Sequence, residues 1–144
     1  MQSVRDLLIG KGWDVWSLRP ESTVYEAIDQ MAQKGVGALL VMDGTQLIGI
    51  VSERDYARKV ILKGRASKET FVREIMSSPV ICVPPELTVE QTMALMTERR
   101  VRHLPVVVED KVVGVISIGD VVRAIIDEKE SYIQQLTTYI SAGG

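Results

Sequence analysis

The chain is poor in several things that define whole classes of protein. It has one cysteine, Cys82, and one histidine, His103, in 144 residues. A single thiol excludes an intramolecular disulfide, and one thiol with one imidazole cannot furnish a Cys/His zinc site. Aromatic residues are only 5%, so Val, Ile, Leu and Met must build the core. The formal net charge is −2, which gives no global field to attract nucleic acid or an anionic membrane. No apolar run approaches the ~18 residues a spanning helix needs. Met1-Gln2-Ser3-Val4-Arg5-Asp6 also lacks the basic-then-apolar order of a signal peptide. These absences lead us to expect a cytoplasmic protein with neither membrane nor nucleic-acid partners.

What the chain does have is an internal repeat, the signal to seek before any other. Shifted by 65 positions, Asp14 to Ile61 lies on Pro79 to Ile126 without a gap. Identical pairs include Pro20/Pro85, Glu21/Glu86, Thr23/Thr88, Val24/Val89, Met31/Met96, Val36/Val101, Leu39/Leu104, Val41/Val106, Gly49/Gly114, Ser52/Ser117, Asp55/Asp120 and Arg58/Arg123. A lead-in repeats at a shift of 68, Val4-Arg5-Asp6-Leu7-Leu8 matching Val72-Arg73-Glu74-Ile75-Met76. The first copy therefore carries three extra residues within Ile9 to Asp14, a slip expected to fall in a loop.

Each copy predicts a short helix (Val4 to Ile9, Val72 to Ser77) and then a strand (Val15 to Leu18, Val80 to Val83). Thr23 with Glu26, and Thr88 with Gln91, fit capping boxes that open amphipathic helices. Gly35 suits a left-handed helix end. Strand pairs follow at Ala38 to Met42 with Gln46 to Val51, and at His103 to Val108 with Lys111 to Ile116. Asp43-Gly44 and Glu109-Asp110 supply the tight turns. A last helix starts near Ser52 or Ser117. The fold class is α+β, with the order helix, strand, helix, strand, strand, helix in each copy. A copy of about 60 residues buries little by itself. Two pseudo-symmetric copies packed through their sheets are therefore expected. The divisions are residues 1–62 (first repeat), 63–70 (linker), 71–127 (second repeat) and 128–144 (a C-terminal helical extension).

The sharpest local features are Gly-Ile-Val-Ser-Glu-Arg-Asp at Gly49 to Asp55 and Gly-Val-Ile-Ser-Ile-Gly-Asp at Gly114 to Asp120. Each sets a Ser and an Asp where a strand turns into a helix. Free N–H groups and the positive helix end favour an anion there. An ionised Asp can accept two hydrogen bonds from vicinal hydroxyls. Ser-x-x-Asp is also nearly a capping box, and for either motif taken singly capping alone is the commoner reason.

These motifs, with the Pro-Glu-x-Thr-Val helix starts and the Leu104-Pro105-Val106 strand, resemble the CBS domain, named for cystathionine β-synthase and found in tandem as Bateman modules. Ser52-Glu53-Arg54-Asp55-Tyr56-Ala57-Arg58-Lys59 is most similar to bacterial stand-alone CBS pairs. The resemblance implies a regulatory module binding adenosyl nucleotides, with NAD(H), AMP or ATP as the ligand class, and no catalytic or metal residues. Carried over, Asp55 and Asp120 hold ribose, and Ser52 and Ser117 hold phosphate. Adenine would lie in a cleft between copies, read by backbone near Ser17, Leu18, Cys82 and Val83 and walled by Val36, Gly37 and Val101. In related pairs, basic residues just before Leu-Pro contact phosphates, which nominates Arg102 and His103; an Arg fork suits phosphate.

Arg99 and Arg100 suit a helix end. Arg54 and Arg58, i and i+4 neighbours, fit either a phosphate site or a solvent face. The first copy has Gly35-Val36-Gly37-Ala38 where the second has Arg100-Val101-Arg102-His103, so the two sites should differ. Cys82, in an apolar run, is expected to be a packed thiol. The resemblance also implies a homodimer and an unidentified protein target. Val122, Ile126, Lys129, Ile133, Leu136 and Ile140 form a helical seam that would clamp a partner or fold back on its own module. The rival readings are a protein-interaction scaffold that binds no nucleotide and a nucleotide-turnover enzyme. The enzyme reading is disfavoured by the lack of a P-loop or catalytic pair.

Overall fold

The computed structural model describes residues 2–143. The elements are α1 (Val4–Lys11), β1 (Ser17–Leu18), α2 (Val24–Lys34), β2 (Ala38–Asp43), β3 (Gln46–Ser52), α3 (Glu53–Tyr56), α4 (Val89–Arg99), β4 (His103–Val108), β5 (Lys111–Ser117) and α5 (Ile118–Gly143). α3 widens without a break into a π-helical turn over Ala57–Ile61. Strands β1-β2-β3 form one sheet and β4-β5 another.

The two compact units do not follow the two sequence repeats. One comprises Val15–Ile81; the other comprises Met1–Asp14 with Cys82–Gly144. Each lead-in therefore belongs with the other repeat. In the Val15–Ile81 unit, Val72 N–H donates to Ser22, Arg73 N–H to Pro20, and Val24 N–H to Thr70. In the other unit, Val4 N–H donates to Leu87, Arg5 N–H to Pro85, and Val89 N–H to Gln2. The two sets are equivalent residue for residue. They satisfy the backbone at each lead-in and at the start of α2 and α4.

The repeated glycines explain the side-chain half of this exchange. A Cβ on Gly114 would come 2.7 Å from a methyl of Leu8, which is fully buried. A Cβ on Gly49 would overlap Met76. Leu8 and Met76 are themselves equivalent lead-in residues, so each glycine opens room for the same knob. The Val15–Ile81 core is Leu18, Val24, Ala27, Met31, Leu39, Val41, Val51, Val60, Val72 and Ile75. Val24, Ala27 and Met31 share the buried face of α2, as the helical period requires.

Several elements differ from the sequence expectation. The first lead-in helix runs to Lys11, into the three-residue slip, whereas its counterpart is only a 3-10 turn at Val72–Glu74. β1 is two residues long, and Val80 to Val83 forms no strand beyond a parallel bridge between Val83 and Val106. Proline explains the second case. Leu40 N–H donates to Trp16 in the first copy, but its equivalent is Pro105, which has no N–H to donate. The turn expected at Asp43-Gly44 lies one residue later, because Asp43 pairs with Gln46 and leaves Gly44 (φ 61°) and Thr45 as the loop. Glu109 and Asp110 do form the second turn, both at positive φ. Gly35 ends α2 in the left-handed conformation, and Arg100 takes that conformation after α4.

Candidate functional site

Each unit carries one Ser/Asp junction. β3 ends at Ser52 and β5 at Ser117, each strand's last residue serving as the N-cap of the next helix. The strand start opposite is held to the helix. Glu53 N–H donates to Gly37 and Ile118 N–H to Arg102. The Asp55 and Asp120 N–H groups donate to the Ser52 and Ser117 hydroxyls, both at 3.2 Å. In return Asp55 Oδ2 accepts from Ser52 N–H at 2.9 Å, and Asp120 Oδ2 from Ser117 N–H at 2.8 Å. Two of the first three helical N–H groups are thus satisfied within the chain. The anion site read from free N–H groups is correspondingly smaller than the sequence suggests.

A lysine meets each carboxylate. Lys59 Nζ lies 3.0 Å from Asp55 Oδ1 and donates to the Ile75 carbonyl at 2.8 Å. Lys11 Nζ lies 2.6 Å from Asp120 Oδ2 and donates to the Val115 carbonyl at 2.8 Å. The first lysine comes from the helix that bears its Asp, one turn on. The second comes from α1, far away in sequence. In the sequence Lys59 stands out only as the end of the Ser52–Lys59 stretch, and Lys11 does not stand out at all. The sole hint was the slip that lengthens the first lead-in, without which α1 would end short of Asp120.

Burial works against ionisation of Asp120, but the Lys11 and Ser117 hydrogen bonds and the Lys11 charge outweigh it. Its carboxyl is held below the usual carboxylate range. Arg123 adds a longer contact, 3.9 Å from Oδ1. His103, at the start of β4 and paired with Ser117, is half-buried. Burial, then Lys11, pushes its imidazole below the ordinary value; Arg102 adds to this and Asp120 opposes it. Lys11 and Arg123 are therefore the cations that meet Asp120, with the half-buried His103 imidazole close by. In the Val15–Ile81 unit the residues equivalent to Arg102-His103 are Gly37-Ala38, without charge.

The other expected residues fall as follows. Arg54 and Arg58 are exposed, as are Arg99, Arg100 and Arg102. Ser17 is exposed beside buried Leu18, and Cys82 is exposed beside buried Val83. The expectation of a packed Cys82 is corrected: alternation turns Val83 to the core and Cys82 outward. Burial of part of the side chain still raises its thiol pKa. Val36, Gly37 and Val101 are half-buried. Among the described residues no three of His, Cys, Asp and Glu gather closely enough to hold a metal ion. No described helix is long and apolar enough to cross a membrane.

Two strand-to-helix junctions with the same Ser/Asp box, on two copies of one motif, decide the family. The CBS domain matches residues 4–62 and 72–127. The chain belongs to the CBS-domain family. It is 47% identical over 128 residues to the CBS domain-containing protein CBSX3, mitochondrial, of Arabidopsis thaliana, covering 85% of this chain. It is 32% identical over 120 residues to the CBS domain-containing protein YhcV of Bacillus subtilis, covering 83% of each. The chain spans 62% of the plant relative's length and 57% of an uncharacterized Methanopyrus kandleri relative's. A CBS-domain protein structure from Burkholderia ambifaria MC40-6 superposes with a TM-score of 0.84 at 48% identity, covering 88% of this chain and 95% of that one. A hexameric CBS-CP12 protein from bloom-forming cyanobacteria gives 0.77 at 28% identity, covering 99% and 89%. CBS pairs are generally regulatory, nucleotide-binding modules, and the α+β tandem repeat here is that fold.

Proposed function

We propose that this CBS pair is a cytoplasmic sensor of an adenosyl nucleotide, of the NAD(H), AMP or ATP class, that works as a homodimer and passes its state to another protein. The observation that carries the reading is Asp120. Its carboxylate is only 12% exposed, oriented by Ser117 and held ionised, beside Lys11, Arg123 and the His103 imidazole. An oriented carboxylate accepts from vicinal ribose hydroxyls, and Lys11, Arg102, His103 and Arg123 suit phosphate. Asp55 with Ser52 repeats the ribose half of this arrangement without a charged strand start. The Asp120 site is therefore the tighter phosphate binder, and the Asp55 site takes a less charged ligand or remains empty. Adenine contacts follow the family pattern in each unit: Ser17, Leu18, Val36 and Gly37 in one, Cys82, Val83 and Val101 in the other. Arg54 and Arg58 are peripheral phosphate groups. Ligand binding signals by favouring one arrangement of the dimer. There is no catalytic step.

The test is thermal unfolding of ligand-free protein against AMP, ADP, ATP, NAD, NADH, S-adenosylmethionine and GTP. One adenosyl ligand should raise the midpoint, equivalent to about 2.7 kcal/mol at a hundredfold excess over its Kd. The shift should vanish in Asp120→Ala. A flat panel would favour the second reading, a protein-interaction scaffold, for which the capping boxes at Ser52 and Ser117 explain both Ser/Asp pairs without any ligand.

A further inference from the structure

α5 leaves its own unit behind. Val121 and Ala124 are buried, but every residue from Lys129 to Ser141 is exposed, so nothing in the described chain covers this stretch. The alternative in which the seam folds back on its own module is thereby removed. Yet the stretch is not polar. Tyr132, Ile133, Leu136, Tyr139 and Ile140 stand 43–77% exposed, continuing the exposed Val122 and Ile126. A helix of about a dozen residues wetted on every side is marginal in water. An apolar stripe along it calls for a partner.

The seam itself says which partner. Val122, Ile126, Lys129, Ile133, Leu136 and Ile140 are spaced 4, 3, 4, 3, 4, a pattern that reads the same from either end and is centred on Ser131. We propose that α5 pairs antiparallel with α5 of a second copy in this register, which rests on the homodimer reading above. Val122 then meets the partner's Ile140, Ile126 meets the partner's Leu136, and Lys129 meets the partner's Ile133. Lys129 decides the direction. A parallel pair would set it against the partner's Lys129 inside the seam, two like charges in an apolar layer. The antiparallel pair moves them apart and puts each ammonium beside the partner's Glu130 on the flank. On the opposite flank, Tyr132 faces the partner's Tyr132. The Lys129/Glu130 exchange is complementary to itself, as a two-fold interface requires.

The test uses the full chain with Cys82→Ser, since Cys82 is exposed. Tyr132→Cys in that background should link to itself through a short bis-maleimide and give a covalent dimer. Val122→Cys should not link to itself, because in the antiparallel pair those positions lie about 27 Å apart along the axis. A mixture of Val122→Cys and Ile140→Cys should link to each other. All three positions are exposed, so folding is preserved, and the melting curve of each variant checks this. Self-linking of Val122→Cys would mean a parallel pair and would overturn the proposal. Light scattering on the same samples separates the remaining outcomes. A dimeric mass without the Tyr132→Cys link sinks the α5 seam and leaves the homodimer standing. A monomeric mass sinks both.

Discussion

The Val15–Ile81 unit and the unit of Met1–Asp14 with Cys82–Gly144 share one frame and differ at the place where a ligand would sit. The frame is repeated bond for bond: the three lead-in hydrogen bonds, the Gly49 and Gly114 openings, the Ser52 and Ser117 boxes. The site is not. Asp55 is met by a lysine from its own helix, Asp120 by a lysine from α1. The strand start is Gly37-Ala38 in one and Arg102-His103 in the other. Duplication has kept what folding needs, since each frame bond satisfies backbone that burial would otherwise leave unpaired. The groups that face solvent and ligand have been free to diverge.

The largest test of that comparison is at the carboxylates. Asp120→Ala should weaken binding of the phosphorylated ligand by about a hundredfold, ~2.7 kcal/mol, while Asp55→Ala should leave that affinity nearly unchanged. Isothermal titration of the two variants decides it, and equal losses would make the sites equivalent. Next come the glycines. Gly114→Ala forces a methyl against the fully buried Leu8 and should cost about 2 kcal/mol of stability in urea unfolding. Gly49→Ala should cost less, because half-buried Met76 is flexible and can swing aside.

The lysines give a pH contrast. Asp120 titrates below its ordinary value, so its contribution is present above about pH 4 and is lost as pH falls through the folded value. Lys11→Met leaves burial unopposed by the ammonium and should move the acid-unfolding midpoint to higher pH, followed by circular dichroism. His103 is depressed as well. The folded state binds fewer protons, and stability should climb as pH rises toward about 6.5 and then level. His103→Gln should flatten that climb. The smallest expected effect is at the helix ends. Arg100 occupies a left-handed position that Gly35 fills in the first copy. Arg100→Gly should stabilise by about 0.5–1 kcal/mol in thermal melts, and Gly35→Ala should destabilise by about 1 kcal/mol.

Much of this was legible in one dimension. The repeat, the capping at Thr23 and Thr88, the Gly35 helix end and the Ser/Asp junctions all rest on local chemistry, in which a residue and the backbone within four positions suffice. The errors have one origin. The Val80 to Val83 strand reads well by composition and fails because its neighbour in the sheet presents Pro105. Cys82 reads as apolar and is exposed because only its neighbour Val83 faces the core. The anion site read at the two helix starts is narrowed rather than lost, because the Gly37 and Arg102 carbonyls each accept from one of its N–H groups.

The sequence by itself determined the tandem CBS fold, the order of elements and the Ser/Asp motif, because short-range hydrogen bonding and hydrophobic period encode them. Only the tertiary structure decided that each lead-in serves the other repeat, that Lys11 and not a neighbouring residue holds Asp120, and that α5 stands uncovered. Those are facts of which surfaces meet, and residues as distant as Lys11 and Asp120 carry no mark of their meeting beyond the slip in the first lead-in until the chain has folded and brought an ammonium to a carboxylate largely withdrawn from solvent.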